Sequence, residues 1–288
     1  MSNKDIIFRC SSLGDLLSDG RGDSRADKIA KKRVEVTELA AKVEADIANS
    51  KSHLKASEAR ADKLARLTAE LNDLVSTPET ADERLGDTAK SKCRSVVLEQ
   101  IYGALEEVES DATRHGKLFE PEAVRQYGEL IGANRGRAHA QFRKNTERRT
   151  LKLGTEAHPF FLTGEPDVVY KNRIWEFKCP FSISSFDAQC RNAVADYILQ
   201  VQGYMLLFDL DKATIVTSLF RNKNIKSDKI FDNTKRCHRF HAREVERDDE
   251  LITKIVERLA LCADWVRDYR DNFSNNAGFY KYLEYRNL

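Results

Sequence analysis

Two carboxylates and an ammonium stand at a defined spacing in one stretch of this chain. Pro166-Asp167 is followed by eight residues and then by Glu176-Phe177-Lys178. Val168-Val169-Tyr170 and Ile174-Trp175 flank a polar turn at Lys171-Asn172, the pattern of a β-hairpin. Side chains alternate faces along a strand, so Glu176 and Lys178 point one way and Phe177 the other. Asp167, entering the first strand, approaches the end of the second. Paired carboxylates attract a hard divalent cation such as Mg²⁺, and an adjacent lysine orients a water or balances charge on a phosphate. An isolated Glu-x-Lys means little where 33% of residues are charged. The weight rests on the combination of Asp, spacing, apolar strand context and a shared face.

The elements around this stretch must position it. The chain has 288 residues, 41% of them apolar, enough to bury a substantial core. Its net charge of +2 places any basic surface in local patches. Six scattered cysteines (10, 93, 179, 190, 237 and 262) contain no C-x-x-C pair. That argues against zinc ribbons, Fe–S clusters and a disulfide scaffold. With no long apolar run and a polar start at MSNKD, the expectation is a cytoplasmic protein without a membrane role.

Ile6-Ile7-Phe8 precede Arg9 and a short helix from Leu13 to Leu17, for which Ser11 or Ser12 is the expected cap. A helix start with hydroxyls and an arginine also suits a phosphate. Residues 25–74 are rich in Ala, Lys, Glu, Leu and Arg, with Val36, Leu39, Val43, Ile47, Leu54, Ala61, Leu64, Leu71 and Leu74 largely at three/four spacing as the expected seam. One helix of ~50 residues would span ~75 Å, so a helical hairpin turning near 49–52 is expected. Further helices are expected over 86–109, from Glu120 at a helix start to about Ile131, over 191–208, and from Asp249 to about Tyr269. Strands are expected near 213–220 and 237–245. Gln200 and Tyr204 share a helical face. Between 132 and 153 lie Arg135, Arg137, Arg143, Lys144, Arg148, Arg149 and Lys152, opposed in sequence only by Glu147. Such a run is either a solvated loop or a phosphate-backbone track. Strands and helices mix without strict βαβ alternation, which fits an α/β core with a mixed central sheet flanked by helices.

These residues resemble the signature of PD-(D/E)XK nucleases, and within them the phage lambda exonuclease-like enzymes, the YqaJ-like viral recombinases. Further likenesses are Gly116-Lys117-Leu118-Phe119-Glu120-Pro121-Glu122-Ala123, Lys178-Cys179-Pro180-Phe181, Gln200-Val201-Gln202-Gly203-Tyr204-Met205 and, more loosely, Arg9 to Leu17. The resemblance implies a restriction-endonuclease-like core in 1–24 and 81–288, and the helical stretch at 25–80 departs from it as an insertion. It implies Asp167, Glu176 and the Phe177 carbonyl as metal ligands, with Glu120 acting directly or through a water. Lys178 would orient the attacking water, Gln200 would position the phosphate or Lys178, and Tyr204 would support that face. Arg9 and Ser12 would hold a 5′-phosphate, while Arg135, Arg137, Arg143, Lys144, Arg148 and Arg149 would track DNA. The implied activity is Mg²⁺-dependent (with Mn²⁺ as substitute) 5′-to-3′ digestion of linear duplex ends. It leaves 3′ single strands for an annealing protein, and the enzyme is a homo-oligomer, a trimer in lambda-type members. The readings opposed to this are an endonuclease of the same fold and a catalytically inert coiled-coil scaffold. The cysteine cluster of CRISPR-associated relatives is missing.

Overall fold

The computed structural model describes residues 5–18, 25–49, 51, 54–77, 80–103, 110–133, 142–192, 194–221 and 236–275. These divide into two compact units, one of residues 1–18 and 91–288 and the other of residues 19–90. Among the described residues no helix is long and apolar enough to cross a membrane.

The larger unit carries two mixed sheets, so the mixed pairing expected of one central sheet is divided between two. In the first, β1 (Ile7–Arg9) runs parallel to β3 (Pro159–Gly164), and β2 (Arg149–Gly154) pairs antiparallel with β3 on its other side. In the second, the order is β4 (Val168–Val169), β5 (Ile174–Lys178), β6 (Lys212–Ser218), β7 (Phe240–Glu246). Here β5 and β6 are parallel, and the outer pairings are antiparallel. As expected for a strand buried on both faces, β6 is almost wholly buried.

The smaller unit holds the expected helical hairpin. Helix α2 (Arg25–Ala48) packs on α3 (Lys55–Ser76), followed by the short α4 (Ala81–Arg84), which Thr80 and Glu83 close with a capping box. Val36, Leu39, Val43, Leu64, Leu71 and Leu74 are half-buried along the seam, and Leu67 is buried. Ile47, expected in that seam, is 61% exposed.

In the larger unit, the described course continues with α1 (Leu13–Leu17), α5 (Asp87–Tyr102, entering this unit at Ser91) and α6 (Asp111–Leu130). Then come α7 (Ile183–Arg191), α8 (Ala195–Phe208) and α9 (Asp249–Asn275). Ser12 stands at the start of α1 but makes no capping bond through its side chain. Its backbone leaves a 3-10 turn there rather than an extended cap, so the hydroxyl is not presented to the first turn. Helix α6 begins nine residues before Glu120, capped by Ser110, and runs through Pro121. Glu120 is therefore mid-helix, and the expectation that it starts one is corrected. The internal proline misled that reading, since prolines commonly mark first turns. A core of Ala123, Val124 and Tyr127 from α6 with Val168, Phe177 and Val216 from β4, β5 and β6 locks this helix onto the sheet.

Candidate active site

The hairpin turn sets the geometry. Lys171 and Asn172 both adopt positive φ, 52° and 54°, the conformation of a two-residue type I′ turn. Tyr170 and Arg173 exchange backbone hydrogen bonds across it, at 3.0 and 3.2 Å. The resulting register pairs Val169 with Ile174 and Val168 with Trp175. One step further along, Asp167 falls opposite Glu176. The eight-residue spacing is thus what this turn requires for two carboxylates to face each other.

Asp167 Oδ2 accepts the Phe177 N–H at 2.6 Å, and the Asp167 carbonyl accepts the Asn145 N–H at 2.7 Å. Lys178 Nζ donates to Glu176 Oε1 at 2.7 Å and to Gln200 Oε1 at 3.0 Å. Gln200 Nε2 donates to Glu176 Oε1 at 2.9 Å and to Tyr204 Oη at 2.8 Å. Five sequence-nominated residues thus meet in one place: Asp167, Glu176, Lys178, Gln200 and Tyr204. Gln200 and Tyr204 come from α8, one turn apart. That helix approaches closely because Gly203 and Gly164 lack side chains. A Cβ at Gly203 would come within 2.7 Å of Leu13, and one at Gly164 within 2.6 Å of the Tyr204 ring.

The electrostatics are those of acids out of water. Burial first, then the charges of Glu176 and Glu120, push the Asp167 carboxyl well above its usual range. Burial opposes the Lys178 charge, but Glu176 and Asp167 outweigh it and hold the ammonium above its usual range. Burial, with Glu120 and Asp167 beyond it, pushes the Cys179 thiol up to about 12, so that this cysteine is no thiolate at neutral pH. Glu176 Oε2 is buried and has no hydrogen-bond partner. A carboxylate with an unused buried oxygen beside a second, charge-disfavoured carboxyl fits a hard cation bound by oxygen. Asp167 and Glu176 would hold it.

Glu120 lies close enough for its charge to act on Asp167, but its carboxylate is engaged elsewhere. It forms an ion pair with Lys144 at 2.6 Å. Among the described residues no group of three or more His, Cys, Asp or Glu is placed to hold a metal. Lys144 occupies the third carboxylate, so any role for Glu120 at a metal requires that pair to open.

The basic run proves less bare than its sequence implied. Arg148 pairs with Glu165 at 3.3 Å, Arg149 with Glu147 at 2.7 Å and Lys152 with Glu156 at 2.7 Å. Three of these four acids, counting Glu120, come from outside the 132–153 window, and the fold returns them to it. Arg149 also lies over the Phe208 ring, at 4.3 Å. Arg143 is exposed, and Arg135 and Arg137 lie outside the described residues. Near the N-terminus, Arg9 is paired with Glu99 at 3.2 Å and Ser12 is buried. It is Ser11, with Arg9, Arg148, Thr163, Glu165 and Tyr204, that lines a cleft of about 330 Å³. The sequence named both serines at this helix start, and the resemblance singled out Ser12 rather than Ser11. Sequence reasoning passed over Tyr197, whose ring centroid lies 4.8 Å from Lys178 Nζ. The signal was available, since Tyr197 precedes Gln200 by three residues on the same helix.

Residues 74–211 match the family model of the YqaJ-like viral recombinase domain. A phage related exonuclease from Haemophilus somnus 129PT is similar in structure, with 24% identity, a TM-score of 0.58 and coverage of 93% of this chain and 97% of that one. An alkaline exonuclease from Laribacter hongkongensis matches at 17% identity and a TM-score of 0.48, over 67% of this chain and 87% of its own. No curated protein matches significantly.

Proposed function

We propose that this chain, whose residues 74–211 match the YqaJ-like viral recombinase domain, is a Mg²⁺-dependent DNA exonuclease that enters linear duplex ends. The observation that carries the reading is the assembly of half-buried Asp167 and Lys178 with buried Glu176 and Gln200, with one Glu176 oxygen unused. Mg²⁺, for which Mn²⁺ substitutes, would supply Lewis-acid polarisation of the phosphate and a more acidic water. Asp167, Glu176 and the Phe177 carbonyl are its proposed ligands, with Glu120 assisting once released by Lys144. Lys178 holds a proton donor over the reacting phosphate, and Gln200 fixes Lys178 and Glu176 together. Tyr204 buttresses Gln200.

The polarity is 5′ to 3′, with a 5′-phosphate received near Arg9 and Ser12. Arg135, Arg137, Arg143, Lys144, Arg148 and Arg149 form the track for the duplex. Where ion pairs already occupy Lys144, Arg148 and Arg149, DNA phosphates compete with carboxylates. Residues 1–24 and 81–288 form the nuclease core, and 25–80 a helical insertion. The 3′ strand passes to a single-strand annealing protein in the cytoplasm of a bacterial host, and the working form is a homo-oligomer, a trimer in our reading. Similarity to a phage related exonuclease from Haemophilus somnus over 93% of the chain supports exonuclease over endonuclease.

Digestion of linear duplex labelled at the 5′ or the 3′ end, beside a closed circle, with Mg²⁺ or EDTA, tests this. The expected result is metal-dependent release of the 5′ label as mononucleotide, with the circle intact. Cutting of the circle would reassign the enzyme as an endonuclease. No metal-dependent cutting of either substrate would overturn the catalytic reading in favour of an inert scaffold.

A further inference from the structure

Lys178 is held on more sides than its hydrogen bonds account for. Two of its ammonium protons go to Glu176 and Gln200, at 2.7 and 3.0 Å. The Tyr197 ring lies 4.8 Å from the same nitrogen. Tyr197, Gln200 and Tyr204 sit at positions i, i+3 and i+7 of α8, which places them on one helical face. The other face of that helix is anchored separately. Gln202 donates to the Glu246 carbonyl at 2.8 Å and accepts the Asp248 N–H at 3.0 Å. The helix therefore cannot rotate without breaking both sets of contacts. No described hydrogen bond involves the Tyr197 hydroxyl, so the ring, not the phenol oxygen, makes the contact.

Resting on the nuclease reading of this site, we propose that Tyr197 is a positioning residue whose aromatic face fixes the Lys178 ammonium, leaving its third proton directed at the substrate phosphate or attacking water. An ammonium on a four-carbon stem has many rotamers, and two acceptors alone leave it free to swing about them. The Tyr197 ring beneath the ammonium restricts that freedom by cation–π attraction. The ring acts on the geometry of the proton donor, so it should alter turnover more than substrate binding.

The test compares Tyr197→Phe, Tyr197→Trp and Tyr197→Leu with the wild type. Steady-state digestion of a 5′-phosphorylated linear duplex with Mg²⁺ gives kcat and KM separately. Asp167→Asn serves as the site control, and thermal melting checks folding. Phe and Trp should keep kcat near wild type because they keep a π face. Leu should lower kcat about 5- to 30-fold, the range of a desolvated cation–π contact, with KM little changed. The proposal fails if Leu leaves kcat intact, if it raises KM alone, or if Phe loses as much as Leu. Should Asp167→Asn remain fully active, the nuclease site itself is wrong. If Asp167→Asn is inactive while Leu keeps wild-type kcat, only the role of the ring is wrong.

Discussion

The candidate active site and the α2–α3 hairpin use similar side chains in opposite ways. In the hairpin, charges face water. Lys32 pairs with Glu70 at 2.5 Å, Lys63 with Glu35 at 3.1 Å, and Arg60 with Asp46. All three run from one helix to the other and agree with an antiparallel register. Most of these side chains are substantially exposed, and pairs of this kind contribute about 0–1 kcal/mol each. At the site, Glu176 is 3% exposed and Gln200 7%, and each holds partners on two elements. There the arrangement costs stability, because carboxylates are forced together out of water. Exposed charge thus agrees with how two helices align, whereas clustered buried charge lowers folding stability and marks a candidate site for chemistry.

Breaking the site should expose that cost. Asp167→Asn is expected to reduce digestion by at least about 10³-fold, through loss of a metal-binding charge, and to raise the melting temperature at neutral pH. Asn still accepts the Phe177 N–H while removing the repulsion. The folded carboxyl protonates at higher pH than the unfolded one, so its contribution to stability is full below the unfolded pKa and lost as pH rises through the folded value. The variant's melting curve should lack that slope. A melting temperature that falls at every pH would contradict the account.

Gln200→Leu comes next, with an expected loss of about 10²-fold in kcat. It removes the amide that joins Lys178, Glu176 and Tyr204. Unchanged kcat would reduce this glutamine to a packing residue.

In the hairpin the expected losses are of stability alone. Leu67→Ala should destabilise by about 2 kcal/mol, at the low end for a core leucine because the seam is thin. Denaturant unfolding would measure it. Smallest of all, Lys63→Ala should cost less than about 1 kcal/mol and lose even that in high salt. A salt-resistant loss above that size would show that the exposed pairs carry more than alignment.

Much of this contrast was readable beforehand. The turn at Lys171-Asn172, the alternation in Glu176-Phe177-Lys178 and the shared face of Gln200 and Tyr204 are local regularities, and local geometry reproduces them. Helix α7 escaped notice because it buries no residue and so shows no core-facing stripe. Strand β2 was hidden because the basic residues around 143–152 led the reading to weigh only a solvated loop or a phosphate track. Thr150 and Lys152 alternate there with half-buried Leu151 and Leu153. The seam residue Leu67 was passed over while Ile47 was included. Which apolar side chain enters a two-helix seam depends on where the helices end and cross, not on spacing alone.

The sequence by itself determined the hairpin. A two-residue turn in the left-handed region allows one register, and that register sets Asp167 against Glu176. It determined the helical hairpin as well, because its apolar period and lack of Gly and Pro leave few alternatives. Only the tertiary structure decided the partners that come from far along the chain. Glu120 went to Lys144, Arg148 to Glu165 and Arg9 to Glu99. It also brought the Tyr197 ring beside Lys178 and left one Glu176 oxygen without a partner. Periodicity encodes which face a side chain occupies, but charge pairing and desolvation depend on distances that exist only after the sheet and α8 have packed.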